Sequence, residues 1–469
     1  MMSRLFRTSA GVLVLLAMAG TLTSPVAALA RPVAGETWVA RYNGPASQLD
    51  SADAVAASPD GRRVYVTGQS PGVSSGDDVA TIAYDAATGT ELWEQRYDGG
   101  ASGLDGGAAI VVSPDGSRVY VTGGTATTAE GRDFTTLAYD AVTGSPLWIR
   151  NYNGPANGDD GATAIGVSPD GGTVVVTGIS YGGATSNDYA TVAYDAVDGS
   201  PLWVQRFDGP GHNDDDPKAL VVGPNGSTFV TGYAHMGSTK YDYLTMALST
   251  STGAVLWVKN YSRSSHSLDY AQALALSPDA SRVFVTGSST NGNRNEDFAT
   301  IAMDAATGAS IWVRLYDGPS HQMDEATDVL VSRDGSEVIV CGVSDGGASY
   351  LDYATVAFRS DTGSPIWVRR YDGSAHDTDF AFGLASSADG TFVYVTGYVS
   401  TAAGGTDYGT LAYLTSTGAV VGTRIYDGPA HGSDYGLAIA TSSTEVFVTG
   451  QSDGGLATNI DYATVAYTI

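Results

Sequence analysis

The chain holds a single cysteine in 469 residues, which excludes any intramolecular disulfide. Cys341 sits in "EVIVCG", where sibling segments carry Thr, and reads as a buried core thiol. Cations are scarce as well: 23 Lys and Arg stand against 50 Asp and Glu, a formal charge of −27. So acidic a surface repels nucleic acid and anionic membranes, which bind through phosphates neutralised by Lys and Arg. Cations, neutral glycans and proteins remain as partners. Past residue 30 no apolar run is long enough to cross a bilayer. Residues 1–30 read as a secretory signal, with Arg4 and Arg7, an apolar run from Val12 to Ala19, and "ALA" before Arg31. No Cys follows to carry a lipid. The expectation is a secreted, extracellular, soluble monomer whose mature chain is 31–469. Helical periodicity is missing, and so are a Ser/His/Asp elbow, a phosphate loop and an HExxH pattern.

What the chain does have is one unit written again and again. Its seven tryptophans are Trp38, Trp93, Trp148, Trp203, Trp257, Trp312 and Trp367, spaced by 55 residues with one step of 54, and the next expected position holds Gly422. Each unit runs "SPDG", then "VYVTG", a variable loop, "DYATVAYDAxTG", and "SPLWVRRYDG". Short β-branched and aromatic runs between such turns predict four strands per unit. Four-stranded units repeated about an axis make a β-propeller. First strands begin at Asp50, Asp105, Asp160, Asp215, Asp269, Asp324, Asp379 and Asp434, which predicts an all-β fold of eight blades. The chain starts with a lone fourth strand, "ETWVARY", and ends after a third, "DYATVAYTI". The two ends should therefore complete one blade.

The frame A-x-D-x-x-T-G-x-x-x-W, as in "AYDAATGTELW", has a physical reading. Gly89 allows the turn, Asp85 and Thr88 bond its backbone, and Trp93 supplies a flat surface between blades. The frame resembles the tryptophan-docking motif of quinoprotein alcohol dehydrogenases and of the wider PQQ-like propeller repeats, across residues 36–469. The segment "RIYDGPAHGSDYGLAIATSSTEVFVTGQS" is similar to secreted bacterial β-propeller repeats of the SBBP type. The quinoprotein resemblance implies a Trp stacked on the cofactor, a disulfide of adjacent cysteines and a calcium-bound Glu, Asn and Asp set. This sequence matches none of these, so PQQ is not expected.

Two sets of aspartates fall on one face of the disc. The first-strand set is Asp50, Asp105, Asp160, Asp215, Asp269, Asp324, Asp379 and Asp434; the third-strand set is Asp78, Asp133, Asp188, Asp242, Asp297, Asp352, Asp407 and Asp461. Unpaired carboxylates about 8 Å apart, at an effective dielectric of about 40, repel by roughly 1 kcal/mol per pair. Two accounts answer this: backbone N–H groups cap each Asp, or Ca²⁺ is held by the first-strand set. His212, His266, His321, His376 and His431 recur on the same loops and read as polar loop residues. Scaffold positions repeat, whereas a ligand site should break the symmetry. Tyr181, Tyr233, His235, Tyr241, Arg294 and Lys218 do so, and suit a glycan or a protein surface. The reading is a non-catalytic binding module with one Asp-rich face, possible calcium stabilisation and no assigned catalysis. Its alternative is a secreted enzyme on the same scaffold, a polysaccharide lyase or a degenerate PQQ-type dehydrogenase.

Overall fold

The computed structural model describes Val33 and residues 35–101, 103–128, 131–237, 240–265, 267–291 and 295–469. The signal segment 1–30, His266 and Arg294 lie outside the described residues. In the first unit, Ser51–Ala57, Arg63–Gly72, Gly76–Asp85 and Glu91–Tyr97 pair antiparallel in chain order. Ser58 and Asp60 make the first turn: Ser58 Oγ accepts the N–H of Arg63 at 2.9 Å, and Asp60 accepts that of Arg62 at 3.1 Å. The two middle strands are buried on both faces, which is why they read as nearly continuous apolar runs rather than alternating ones.

Eight such four-stranded sheets form an eight-bladed propeller. In the last blade Glu36–Tyr42 pairs with Ile460–Thr468, beside Glu445–Asp453 and Asp434–Thr441, so the first strand of the chain closes the ring. The innermost strands of neighbouring blades lie side by side around the axis. Each carries a one-residue bulge, at Asp53, Ala108, Thr163, Lys218, Gln272, Thr327, Phe382 and Leu437. A bulge re-aims one side chain. Here Thr163 donates across the joint to Pro217 O at 2.8 Å, and Thr327 to Ala381 O at 2.9 Å.

Tryptophan joins the blades at their outer turns. Trp38 Nε1 donates to Ala86 O of the first blade at 2.7 Å, Trp148 to Ala196 O at 3.3 Å, and Trp367 to Thr415 O at 2.8 Å. Gly89 has φ +68, and a Cβ there would stand 2.5 Å from Trp38 Cδ2. The glycine is thus required both by its backbone and by the indole seated on it. Gly422 breaks the series for a reason the topology supplies. An indole at that place would dock on the turn between third and fourth strands of the eighth blade. That blade has no such turn, because its fourth strand comes from the other end of the chain. Buried Val33 fills the space instead, with its carbonyl held by Arg424 Nη2 at 2.6 Å. Cys341 is buried, as expected, opposite Thr355. Other blades place two hydroxyls there, such as Thr67 and Thr81 at 3.1 Å; the thiol leaves Thr355 Oγ1 without a partner.

Two outcomes follow from this construction. Deleting residues 31–42 removes the closing strand, so the melting temperature should fall sharply and aggregation rise; an unchanged melting curve would reject the clasp. Trp148→Ala should cost about 3–5 kcal/mol in denaturant unfolding, and a loss within about 0.5 kcal/mol, typical of surface sites, would remove the indole from blade docking.

Candidate functional site

Chain direction places the loops that lead into first and third strands on one face of the disc. There every first-strand aspartate is a cap. Asp50 accepts the N–H of Gly44 at 2.8 Å, Asp105 that of Gly99 at 2.6 Å, Asp160 that of Gly154 at 2.6 Å and Asp269 that of Arg263 at 3.2 Å. Asp324 accepts from Gly318 at 2.7 Å and Asp434 from Gly428 at 2.8 Å; Asp215 and Asp379 accept from Gly209 and Gly373. The second oxygen often ties down the variable loop, as where Asp160 accepts Tyr181 N–H at 3.0 Å and Asp215 accepts His235 N–H at 2.7 Å. Capping is therefore realised at all eight positions.

At five of the eight blade joints a second arrangement is superposed on the cap. Asp78, Asp98 and Asp105 bring one carboxylate oxygen each within 4.8 Å of one another. So do Asp188, Asp208 and Asp215; Asp297, Asp317 and Asp324; Asp352, Asp372 and Asp379; and Asp407, Asp427 and Asp434. The third-strand residue of one blade, the loop residue after its fourth strand, and the cap of the next blade meet there. Asn43, Asn153 and Ser262 hold the loop position at the other three joints. Two oxygens bound to one Ca²⁺ at 2.3–2.6 Å can be no more than about 5 Å apart, so the triads have a spacing that calcium fits. Without a cation, each pair of charges about 4.8 Å apart repels by about 3 kcal/mol at an effective dielectric of about 20.

In each triad the cap is the most deeply buried carboxylate, and the third-strand one is also buried but keeps an oxygen without a partner. Asp78, Asp188, Asp297, Asp352 and Asp407 are all buried, and the Oδ1 of each has no hydrogen-bond partner. Arg96 reaches Asp78 Oδ2 at 2.7 Å, Arg206 reaches Asp188 at 2.8 Å, Arg370 reaches Asp352 at 2.6 Å, and Arg263 binds Asp297. No described Arg or Lys binds Asp407, which burial and then the charges of Asp427 and Asp434 push up to about 6. Burial also raises Asp215, Asp324 and Asp379 to about 6. His212, His321, His376 and His431 turn back on their own loops, each Nδ1 lying 2.7 or 2.8 Å from the Asp four residues earlier. These histidines brace loops, as polar loop residues should.

Beside this ring, four of the six symmetry-breaking residues come together. Tyr233 packs edge-on against Tyr241 at 5.5 Å between centroids, and His235 against Tyr241 at 5.2 Å. Lys218 Nζ stands 5.4 Å over the Tyr233 ring and 2.6 Å from Asp216 Oδ2, which also accepts Tyr233 Oη at 3.0 Å. Tyr270 of the next blade's inner strand completes the group, 4.8 Å from Tyr233. Farther round, Glu325 accepts Gln272 Nε2 at 3.2 Å; burial, then the charge of Glu296, pushes its carboxyl up to about 7. Tyr181 stands apart on the third blade, its ring against Gly158. Sequence reading missed the loop aspartates of the triads, whose signal is "YDG" or "FDG" against "YNG" and "YSR" at the same place. It also missed Asp216 and Tyr270, which only the bulged inner strand brings to the cluster.

Among solved structures the chain is similar to a quinohemoprotein alcohol dehydrogenase of Pseudomonas putida HK5, at 15% identity and TM-score 0.57 over 95% of this chain and 78% of that one. BamB from Moraxella catarrhalis matches at 16% identity and TM-score 0.51, over 90% of this chain and 99% of that one. Sqt1 of Chaetomium thermophilum, bound to the N-terminus of ribosomal protein L10, matches at 11% and TM-score 0.59, over 93% and 100%. At these identities the likeness is one of fold. No curated protein matches the chain in sequence. A family model described as outer membrane protein assembly factor BamB matches residues 23–176 and 132–399, well over half of the chain. The Trp-docked blades on which the ring is built are thus those of the PQQ-like propeller repeat family of BamB, to which this chain belongs.

Proposed function

We propose that this chain is an exported, non-catalytic interaction module. Its Asp-rich face, stabilised by calcium at blade joints, presents a tyrosine-bearing surface to a neutral or basic protein segment. The carrying observation is the contiguous group of Tyr233, Tyr241, Tyr270, His235 and Lys218 beside the acidic ring. Rigid, half-buried tyrosines supply contact area at low entropic cost and dominate many protein interfaces. The charge of −27 steers basic partners and repels acidic ones. Family membership supports the reading too, since BamB is by name an assembly factor, and one propeller of this fold was solved on a protein's N-terminal segment. The signal-like start of the sequence supports export.

The dehydrogenase alternative fits the residues poorly. All seven indoles donate to outer turns of the next blade, which leaves no Trp to stack on a quinone. The one thiol is buried inside a blade.

Buried carboxyls make the calcium-free stability of the module depend on pH in a defined direction. Asp215, Asp324, Asp379 and Asp407 are raised by burial to about 6, and Glu325 and Asp328 to about 7. Each binds its proton more tightly folded than unfolded, where carboxyls titrate near about 4. Calcium-free stability therefore falls as pH rises from about 4 through 7. Below about 4 it falls again, because hydrogen bonds lower the pKa of turn residues such as Asp115 and Asp334. In EDTA the melting temperature should be higher at pH 5 than at pH 7, and millimolar Ca²⁺ should raise it more at pH 7. A hundredfold excess over Kd is worth about 2.7 kcal/mol. Identical melting at pH 7 in EDTA and in calcium would remove the metal from this reading.

The binding surface is tested separately on arrays of basic peptides, neutral peptides and glycans. Wild type should retain basic or neutral peptides, and the Tyr241→Ala/Tyr270→Ala double variant should lose them with its melting curve unchanged. Retention of glycans alone would reject a protein partner. Turnover of an alcohol with PQQ, or unsaturated products from a polysaccharide, would reject a non-catalytic module.

A further inference from the structure

We propose that a single joint, between the seventh and eighth blades, is the calcium site of this chain, and that at the other four triads an arginine already occupies the cation's place. The proposal rests on the reading that blade joints take calcium, and it sharpens that reading to one location.

The eight repeats act as an internal substitution series. Three joints lack the third carboxylate, with Asn43, Asn153 or Ser262 on the loop. Four joints have three carboxylates and an arginine on the third-strand one: Arg96 on Asp78, Arg206 on Asp188, Arg263 on Asp297 and Arg370 on Asp352. A guanidinium there brings a positive charge beside the triad and bonds its third-strand carboxylate, while its other donors hold a neighbouring serine, as Arg96 holds Ser70 and Arg370 holds Ser344. The joint of Asp407, Asp427 and Asp434 has neither remedy. Where Arg96, Arg206 and Arg370 precede the last aromatic of their strands, the seventh blade has Ile425 before Tyr426.

A second observation at the same joint points to a ligand. Asp407 is 2% exposed, and its Oδ1 has no hydrogen-bond partner, although its carboxylate stands with those of Asp427 and Asp434 inside the 4.8 Å cluster. Asp434 is fixed by the N–H groups of Gly428 at 2.8 Å and Asp453 at 3.0 Å. Asp427 is the loop partner, about a third exposed, its Oδ2 lying 2.7 Å from His431 Nδ1. Two strand-borne carboxylates and one on a loop, all oxygen donors, suit a hard cation with flexible coordination. Magnesium demands a tight octahedron at about 2.0–2.1 Å and gives up its water reluctantly, which strand-pinned carboxylates answer less well.

The probes are Tb³⁺, read by luminescence sensitised through Tyr408 and Tyr426, and Ca²⁺ alone, read by calorimetry on the calcium-free full chain. One equivalent should bind. Asp407→Asn should weaken it on the order of tenfold or more, whereas Asp352→Asn should leave it unchanged. Arg370→Met should add a second equivalent. Ile425→Arg should abolish binding and make the melting temperature independent of calcium; Ile425 is 42% exposed, so this variant folds even where Asp407→Asn does not. Five equivalents, or one that survives both Asp407→Asn and Ile425→Arg, would overturn the proposal while leaving calcium at the joints in place. No binding of either ion would overturn both.

Discussion

The contact on which the molecule depends is an indole lying on a glycine turn of the next blade. A four-stranded sheet with both faces apolar has no stable existence alone, and a ring of such sheets closes only if each is held at a fixed spacing to its neighbour. The indole supplies that spacing twice over, through its N–H bond to a turn carbonyl and through the lack of a Cβ at residues such as Gly89. Because these turns all lie at one side of the disc, the other side is released from holding the ring together. Its loops are free to carry carboxylates and tyrosines that would be intolerable in a docking turn.

The exception at Gly422 shows that docking, rather than sequence habit, sets the pattern. Chain ends interrupt the one turn on which an eighth indole would have rested, and at that place the tryptophan is gone. Val33 occupies the space from outside the blade. Closure through the strand Glu36–Tyr42 thus involves more than a ladder of hydrogen bonds, since the residues before it also repair the joint its own origin creates.

Much of this was legible in the sequence, because each scaffold element is local. "SPDG", the TG turn and the Trp recur at fixed offsets, so strand order, blade number and the closing strand follow from counting. The capping role of Asp50 and its seven counterparts was one of two accounts, and the N–H donors six residues earlier bear it out. The triads were hidden for a physical reason. Their members come from positions far apart in the unit, and Asp98 or Asp427 looks like an ordinary turn residue until blade packing lays it against two others. The tyrosine group was half legible: Tyr233 and Tyr241 stood out as departures from the repeat, but Tyr270 sits on an inner strand whose bulge decides where side chains near it go.

The same joint, between the fourth and fifth blades, gathers the largest departures of both kinds. There "YDG" becomes "YSR": Ser262 replaces the loop aspartate, and Arg263 replaces a glycine that elsewhere gives its N–H to the cap. Arg263 then crosses to Asp297 in the fifth blade, neutralising a carboxylate whose own blade offers Leu315 at the usual arginine position. Between the same two blades, Lys218, Asp216, Tyr233 and Tyr270 form a cluster in which Lys218 and Asp216 compensate one another. The sector is therefore richer in aromatic surface than the other joints, with its one lysine already paired. On the proposed reading, an acidic face interrupted by a tyrosine-lined sector divides the work, with long-range attraction around the rim and desolvated contact at one place.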